Sequence, residues 1–425
     1  MATRYVRQGA TGANNGTNWT DAYTTLIGAT LSRGDLCYVA DGSYAGRTFS
    51  IPNSGTTPIE IRKATVADHG TSVGWLDTYG DGSATFTSQL AFTSSYWLLD
   101  GSFGGGPLSW AGPCGFILSG EIAEMVLLDD GATNVTVRHV EFSGTGSYNG
   151  TQAALRANSC IDCVLEYYYM HDIGFIPFFS GAANLVVQYG YVKNWFDGAN
   201  HSELSSTWAI GSGNIGAHTF RWNLFTDVRS TGGIMWDNVT SHAARLDVYG
   251  NVFYNDASNG SGGMNNNANG IVGGWTGSGG EDFFNCHVFN NTYINIDGSG
   301  DCLGTLPIRA GSNEARNNLF YTVASIGGSS GVWETVSHNH FVATSSVGTN
   351  TSTGTGNPFQ NITAKDFRLT ANTTPGIDLG APYNVDMLGN TRVTWTRGAL
   401  EFGVDGGGEI GGMGVVGCGR MLILV

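Results

Sequence analysis

An asparagine recurs at one position of a repeated β-rich segment, and this repeat constrains the fold more than any other feature of the sequence. Five segments share the frame: FRWNLFTD from Phe220, VYGNVFYN from Val248, VFNNTYIN from Val288, ARNNLFYT from Ala315 and VSHNHFVA from Val336. Their fourth residues are Asn223, Asn251, Asn291, Asn318 and Asn339, and their sixth residues are the aromatic Phe225, Phe253, Tyr293, Phe320 and Phe341. Asparagine is depleted in ordinary strands, so its repetition here requires a structural reason.

Three earlier segments keep the same frame without the asparagine. They start at Val137, Leu165 and Val187 and place Phe142, Met170 and Val192 at the aromatic position. The eight starting residues lie 28, 22, 33, 28, 40, 27 and 21 residues apart. Repeats with a period of about 20 to 50 residues indicate solenoids. Short β-rich segments without a leucine frame favour a coil of parallel strands over a helical or leucine-rich repeat.

A parallel coil gives the repeated asparagine a role. Successive turns of such a coil lie about 4.8 Å apart, so equivalent residues stack in columns. Each asparagine amide can then donate to the equivalent carbonyl group of the next turn. Asparagine also tolerates the left-handed backbone that a sharp corner between two strands requires. The aromatic position predicts a second column, which would fill the interior of the coil.

The composition agrees with an all-β chain. The 425 residues include 65 glycines and only 12% charged residues, with lysine at positions 63, 193 and 365 alone. A helical protein would contain more lysine, glutamate, leucine and alanine. The seven cysteines are scattered, and we expect packed thiols rather than a metal or redox site. Cys160-x-x-Cys163 falls on a predicted strand, which would point its two side chains to opposite faces.

Net charge and hydrophobic patterning exclude several function classes. The formal net charge of −15, without a cluster of basic residues, argues against binding to nucleic acid through phosphate contacts. It also weighs against a strongly acidic polysaccharide unless calcium or a local arginine cluster intervenes. No apolar run reaches the roughly 18 residues that a membrane span needs. The N-terminus has no apolar signal-peptide region, and the chain ends in the apolar MLILV.

Two stretches resemble a known family. YVRQGATGANNGTNWTDAYTTL and RGDLCYVADGSYAGRTFSI resemble the opening of right-handed parallel β-helix repeat proteins of the pectate-lyase-like superfamily. The stretch 357–403 is similar to the terminal coils of that family, with the matching residues Asp378, Gly380, Asp386, Gly389, Arg392, Gly398 and Glu401. The family includes polysaccharide lyases, polygalacturonase-like glycosidases and phage tailspikes. The resemblance implies a groove beside one sheet, walled by loops inserted between turns.

We therefore predict an all-β protein built as one right-handed, single-stranded parallel β-helix over residues 31–403. Residues 1–30 form a short N-terminal cap. The Gly-rich, apolar residues 404–425 form a tail that could contact another subunit. A solenoid can reach this length as a single unit, although length alone would suggest two or three domains.

Insertions into the long turns mark the candidate site. Glu203 and Asp237 lie 16 and 17 residues after their starting residues, and stacking predicts carboxyl groups about 5 to 10 Å apart, a spacing used in glycoside hydrolysis. His201 and Arg229 could flank this pair as further catalytic groups. Trp195, Trp208, Trp236 and Trp275 offer flat faces for sugar rings. The alternative is structural, because polar residues at coil corners often cap turns; His171, which closes a turn, is read in that way.

A lyase is the nearest chemical competitor to hydrolysis. It needs a base for the proton next to a uronate carboxylate and a positive group for the developing charge, for which Arg229, Arg245 and His201 are candidates. We expect no cofactor, although calcium could bind, and Asp129-Asp130 is the only adjacent acidic pair near a strand. The paired aspartates and Gly-His-Gly of polygalacturonase-like enzymes are missing.

These observations favour a phage-type tailspike or fibre, located on the virion or outside the cell, that binds polysaccharide and could cleave it. The missing export signal and the apolar tail favour a virion component, and the resemblance implies a homotrimer. One alternative is a secreted bacterial polysaccharide lyase or glycoside hydrolase. The other is a non-catalytic structural or adhesion protein.

Overall fold

The computed structural model describes residues 1–107, 109–146, 152–158, 160–181, 184–195, 203–207, 217–226, 232–236, 245–256, 270–274, 285–296, 301–304, 313–328 and 331–403. Within these ranges the only helix is a single 3-10 turn at Asp77–Tyr79. No helix in them is long and apolar enough to cross a membrane. The chain instead winds through three parallel sheets, which we name A, B and C in the order of each turn. The predicted parallel β-helix is confirmed.

Sheet A has 12 strands and sheet B has 12, each listed along the coil axis. The strands of sheet A are Thr3–Val6, Leu36–Val39, Ile59–Lys63, Trp97–Asp100, Val135–Arg138, Val164–Glu166, Val186–Gln188, Ala217–Arg221, Arg245–Tyr249, Cys286–Phe289, Glu314–Arg316 and Thr335–Ser337. The strands of sheet B are Gly42–Tyr44, Ala84–Phe86, Phe116–Ser119, Val140–Ser143, Tyr169–Ile173, Tyr191–Trp195, Leu224–Thr226, Val252–Tyr254, Thr292–Ile294, Leu319–Tyr321, His340–Val342 and Ser352–Gly354.

Sheet C has 8 strands and continues toward the C-terminal end through isolated bridges at Leu303 and Gly327. Its strands are Thr48–Phe49, Leu90–Phe92, Glu124–Leu128, Ala153–Ala157, Ile176–Ser180, Glu203–Thr207, Gly232–Trp236 and Val272–Gly274. The remaining strands, Phe359–Asn361 and Asp366–Leu369, pair antiparallel outside the coil.

Strand pairing confirms the repeat alignment over eight turns. The starting residues pair in one column of sheet A, in the order Val137, Leu165, Val187, Phe220, Val248, Val288, Ala315 and Val336. The aromatic position forms one column of sheet B, in the order Phe142, Met170, Val192, Phe225, Phe253, Tyr293, Phe320 and Phe341. The last five rings lie 4.8 to 5.3 Å apart, which gives the interior a continuous aromatic stack.

The five asparagines form a buried ladder at the corner between sheets A and B. The side-chain amide of Asn251 donates to Oδ1 of Asn291 at 3.1 Å and to the carbonyl oxygen of Phe220 in the preceding turn at 2.8 Å. Its backbone N–H donates to the same Oδ1 at 3.0 Å. The pattern repeats down to Asn339, and all five residues are fully buried. The predicted amide ladder is confirmed, and every ladder step joins two turns of the coil.

The left-handed backbone of this corner is not at the asparagines, so that part of the prediction is wrong. Positive φ angles fall one residue earlier in each turn, at His139, Tyr167, Tyr189, Trp222, Gly250, Asn290, Asn317 and His338. The preceding residue makes the bend because the ladder asparagine must keep its own N–H directed at the next asparagine. Gly250 fits this position for a second reason: a Cβ there would lie 2.7 Å from Cδ1 of Trp222.

The ends of the coil differ from the predicted boundaries. The first strand, Thr3–Val6, already pairs with Leu36–Val39, so the N-terminal residues begin the coil as well as capping it. The last parallel strand is Ser352–Gly354. Residues 357–403, which we name the C-terminal strap, add no turn. They run along the outside over the corner between sheets A and B, where Val385 accepts a hydrogen bond from Trp222 and Ile377 accepts one from Asn317.

The outer face of sheet B changes character where the strap covers it. Covered positions are apolar and are buried with strap residues, as Leu224, Val252, Ile294 and Leu319 are. In earlier turns the same face carries Ser119, Ser143, His171 and Lys193. The apolar stretch therefore marks where the strap is docked.

The strap residues that carried the family resemblance hold the strap together. Asp386 accepts backbone hydrogen bonds from Leu388, Asn390 and Glu401 at 2.9 to 3.0 Å. Arg392 is buried and donates to the carbonyl groups of Thr396, Gly398 and Ala399. These charged residues satisfy buried backbone groups, so their role is structural.

The six cysteines in the described ranges are buried free thiols, as the scattered pattern predicts. The strand prediction for Cys160-x-x-Cys163 is wrong. The segment is a turn, with a positive φ at Asp162, and both side chains enter the same interior core.

Replacing Asn291 tests the ladder. Asn291→Ala removes the donor to the Val248 carbonyl group (2.8 Å) and the acceptor for Asn251 (3.1 Å), which leaves buried polar groups without partners. We expect a loss of about 3 kcal/mol in the free energy of unfolding, measured by chemical denaturation. Thr353→Ala, at an exposed position of the last strand, is the control. Equal stability of the two variants would contradict the ladder's role.

Candidate functional site

The structure describes few of the predicted site residues. Glu203 begins a strand of sheet C and is 6% exposed. Trp195 and Trp236 end strands of sheets B and C, and only their backbones are described. His201, Trp208, Arg229, Asp237 and Trp275 lie outside the described residues. None of the predicted contacts among these eight side chains is therefore established.

Strand pairing overturns the alignment that made Glu203 and Asp237 neighbours. Glu203 and Trp236 were both counted 16 residues from their starting residues, yet Glu203 pairs with Gly232 and Trp236 pairs with Thr207. The shift of four residues corresponds to about 13 Å along a strand. It arises because both the sheet B strand and the connection that follows it are longer in the earlier turn. The predicted spacing of the two carboxyl groups has no basis in this register.

A first titratable cluster lies on the uncovered outer face of sheet B. His171 shares Nδ1 with Asp172 Oδ2 at 2.7 Å and Nε2 with Glu141 Oε1 at 3.2 Å. Its ring stacks on Tyr169 at 4.6 Å. Burial lowers the pKa of His171, but the hydrogen bonds and charges of the two carboxylates outweigh burial and raise that pKa above 6.5. Since both ring nitrogens are committed to carboxylates, this histidine is poorly placed to exchange a proton with a substrate.

A second cluster lies on the outer face of sheet A, around the Asp247 carboxylate, which is 2% exposed. Arg245 donates to Oδ2 from Nε at 2.9 Å and approaches it with Nη2 at 2.8 Å. Tyr383 donates to Oδ1 at 3.2 Å, and His287 Nδ1 lies 3.2 Å from the same oxygen. We name Arg245, Asp247, His287 and Tyr383 the Asp247 cluster.

Three parts of the fold build this cluster. Asp247 and His287 face each other across adjacent strands of sheet A, so the coil register sets their separation. Arg245 starts the same strand as Asp247 and points to the same side. Tyr383 comes from the strap and packs edge-on against Tyr249 and Phe289, each at 4.9 Å. Burial, followed by the charge of Asp247, raises the pKa of the Tyr383 phenol, which keeps it protonated as a donor.

The cluster has an open side. The Arg245 side chain is 47% exposed and that of His287 is 22% exposed, whereas Asp247 is enclosed. The Asp247 contact favours the tautomer with hydrogen on Nδ1, and Nε2 of His287 has no hydrogen-bond partner in the part of the chain that is described. An exposed guanidinium therefore stands beside an imidazole with an available acceptor nitrogen.

Sequence reasoning identified only one member of this cluster. Arg245 was a candidate for charge stabilisation, but Asp247 and His287 were not singled out. Both sit at outward positions of the repeat, two residues and one residue before the starting residues Tyr249 and Val288 are reached in the inward-outward alternation. Polar residues at those positions were the available signal. Tyr383 lies 136 residues from Asp247, and nothing local predicts that contact.

Comparisons with known proteins agree with the coil. No protein-family model matches the chain, and no curated protein matches it. A mutant of a PL6 family alginate lyase aligns with a TM-score of 0.36 and 12% identity, covering 94% of this chain and 57% of its own. A rhamnogalacturonan lyase aligns with a TM-score of 0.38 and 12% identity, covering 75% of this chain and 87% of its own. This chain thus spans little more than half of the alginate lyase, and likeness at this level supports nothing about chemistry.

The His171 cluster gives the stability of the fold a pH dependence. A raised folded-state pKa means that the stabilisation is complete when His171 is protonated in both states and is lost as pH rises through the folded-state value. We expect His171→Gln to cost about 1 kcal/mol more at about pH 5 than at about pH 9, by denaturation at both values. A cost that is independent of pH, or larger at high pH, would contradict the ion pairs.

Proposed function

We propose that this chain binds an acidic polysaccharide on the outer face of sheet A and cleaves it by β-elimination at the Asp247 cluster. The observation that carries the proposal is the pairing of the Asp247-held His287 with the exposed Arg245. A base and a positive group side by side are what the removal of a proton next to a carboxylate requires.

Arg245 supplies the positive group. Its Nε and Nη2 engage Asp247, which leaves Nη1 to meet the carboxylate of a uronate residue. A guanidinium suits this contact because its donors match the planar carboxylate. Charge withdrawn from the carboxylate makes the neighbouring C–H bond more acidic, and the developing enolate is stabilised in the same contact.

His287 supplies the base. Nε2 accepts the proton next to the carboxylate, the electrons of the broken C–H bond form a C=C double bond, and the glycosidic C–O bond breaks. The imidazolium can return the same proton to the departing oxygen, so the step balances without another reactant. Asp247 and Tyr383 are positioning residues: they hold the ring and stabilise its charged form.

Hydrolysis is supported less well by the described carboxylates. Asp247 is enclosed by donors, and Glu141 and Asp172 are committed to His171. Glu203 stays a candidate acid, because it is described only as buried at the start of a strand. An acidic substrate is compatible with the net charge of −15, since Arg138, Arg221, Arg245 and Arg316 lie on outward positions of sheet A. This row is the local arginine cluster that the composition requires for such a ligand.

Activity assays on a panel of alginate, pectate, hyaluronan and a neutral glucan test the proposal. We expect cleavage of a uronate polymer with appearance of the unsaturated product, followed by its ultraviolet absorbance. His287→Gln and Arg245→Gln should each lower kcat/KM by about 100-fold or more. His69→Gln, at a partly exposed position near the N-terminal end, is the matched control.

Other outcomes discriminate among the candidates. Reducing ends without an unsaturated product would indicate hydrolysis. Loss of activity in Glu203→Gln combined with full activity in His287→Gln would move the site to sheet C. Binding without cleavage of any polymer would leave a recognition protein and contradict the eliminase.

The tailspike assignment stays a prediction, as does the trimer that the family resemblance implies. It rests on the sequence features described above, and the fold is compatible with it. Light scattering of the full chain measures it directly: a stable species of three times 44.8 kDa would support a virion trimer. A monomer at micromolar concentration would favour the secreted enzyme.

A further inference from the structure

Arg221 is held in place by neutral partners on the outer face of sheet A. Its Nε donates to Oε1 of Gln188 at 2.6 Å and its Nη1 to the hydroxyl of Tyr249 at 2.8 Å. The guanidinium carbon lies 4.2 Å from the centre of the Trp222 ring, which stacks on Tyr189 at 5.0 Å. The side chain is therefore fixed in one orientation without a carboxylate.

The orientation of Gln188 explains why its carbonyl oxygen faces Arg221. Its amide nitrogen donates to Oε2 of Glu166 at 2.7 Å, which directs Oε1 to the other side. Glu166 in turn lies 3.8 Å from Arg138, which also binds Asp100 at 2.7 Å. These residues form one column across neighbouring strands, and the neutral amide separates Arg221 from the paired charges before it.

Other arginines at outward positions of this sheet have acidic partners. The pairs are Arg62 with Glu60, Arg138 with Asp100, Arg245 with Asp247 and Arg316 with Glu314. Arg221 forms no ion pair with any residue of the described ranges. In a chain of net charge −15, a guanidinium that is pre-positioned by neutral groups and not neutralised is suited to binding an anion.

One part of the guanidinium is available to a ligand. Nη2 of Arg221 makes no hydrogen bond with the described residues, and it does not belong to the buried polar atoms that lack a partner. It therefore reaches solvent beside the phenol groups of Tyr189 and Tyr249. A carboxylate or sulfate oxygen could accept from Nη2 while a hydroxyl group of the same sugar contacts the phenols.

We propose that Arg221, with Gln188, Tyr249 and Trp222, forms a binding site for a carboxylate or sulfate group on a saccharide. The site lies one strand from the Asp247 cluster. Along the strand it is displaced from Arg245 by four residues, or about 13 Å. It is therefore a separate contact, and it requires no cleavage to take place. The proposal stands on binding alone and survives failure of the proposed elimination.

Titrations of the full chain with three probes test the site and separate its two ligand chemistries. The probes are sodium glucuronate, glucose 6-sulfate and glucose, each followed through the indole N–H resonance of Trp222. We expect one or both anionic sugars to bind and glucose to bind at least about tenfold more weakly. The anionic probe that binds identifies the carboxylate or the sulfate as the recognised group.

Three variants assign the binding to Arg221. Arg221→Gln should weaken the anionic probe about tenfold or more, and Arg138→Gln, on the same face but ion-paired, should leave it unchanged. Gln188→Glu keeps Arg221 and gives it an acidic partner, so it should weaken binding as well, even if Arg221→Gln fails to fold. Absence of binding, equal binding of glucose, or equal effects of Arg221→Gln and Arg138→Gln would overturn the proposal.

Discussion

The structure depends on buried asparagine amides that satisfy one another from turn to turn. Each ladder amide donates to the next asparagine and to a backbone carbonyl group of the preceding turn, and its oxygen accepts the two donors of the asparagine before it. At the start of the ladder, Asn223 accepts from the hydroxyl of Tyr168 and the backbone of Gly190 instead. A buried amide without partners would destabilise the coil, so satisfaction of the whole file fixes the register of sheets A and B together.

That register decides which outward side chains meet. Asp247 faces His287, and Gln188 lies between Glu166 and Arg221, because each pair occupies one column of sheet A. The strap depends on the same register, since its contacts with Trp222, Asn290 and Asn317 fall on the corner residues of successive turns. It brings Tyr383 to Asp247 and covers the apolar part of sheet B. Architecture and candidate chemistry thus have one origin.

The repeat made the coil, the ladder and the aromatic stack predictable, because stacking translates a sequence period directly into contacts. The corner geometry was assigned to the wrong residue, since a sequence frame locates the turn without telling which residue adopts positive φ. The spacing of Glu203 and Asp237 failed because counting from sheet A ignores differences in strand and connection length before sheet C. The strap was read as further turns, and its contact between Tyr383 and Asp247 joins segments that share no period. Periodicity therefore predicts the neighbours within the coil and not those brought to it from outside.

The account is tested most directly by hydrogen exchange of the side-chain amides of Asn223, Asn251, Asn291, Asn318 and Asn339, measured by nuclear magnetic resonance on the folded chain. If their amides form one buried file, these five pairs of protons exchange slowly and lose protection together as denaturant is added. Exposed asparagine amides exchange rapidly under the same conditions and provide the internal reference. Fast exchange at Asn251 or Asn291 in the native state would contradict the ladder, and with it the register on which both proposed sites depend.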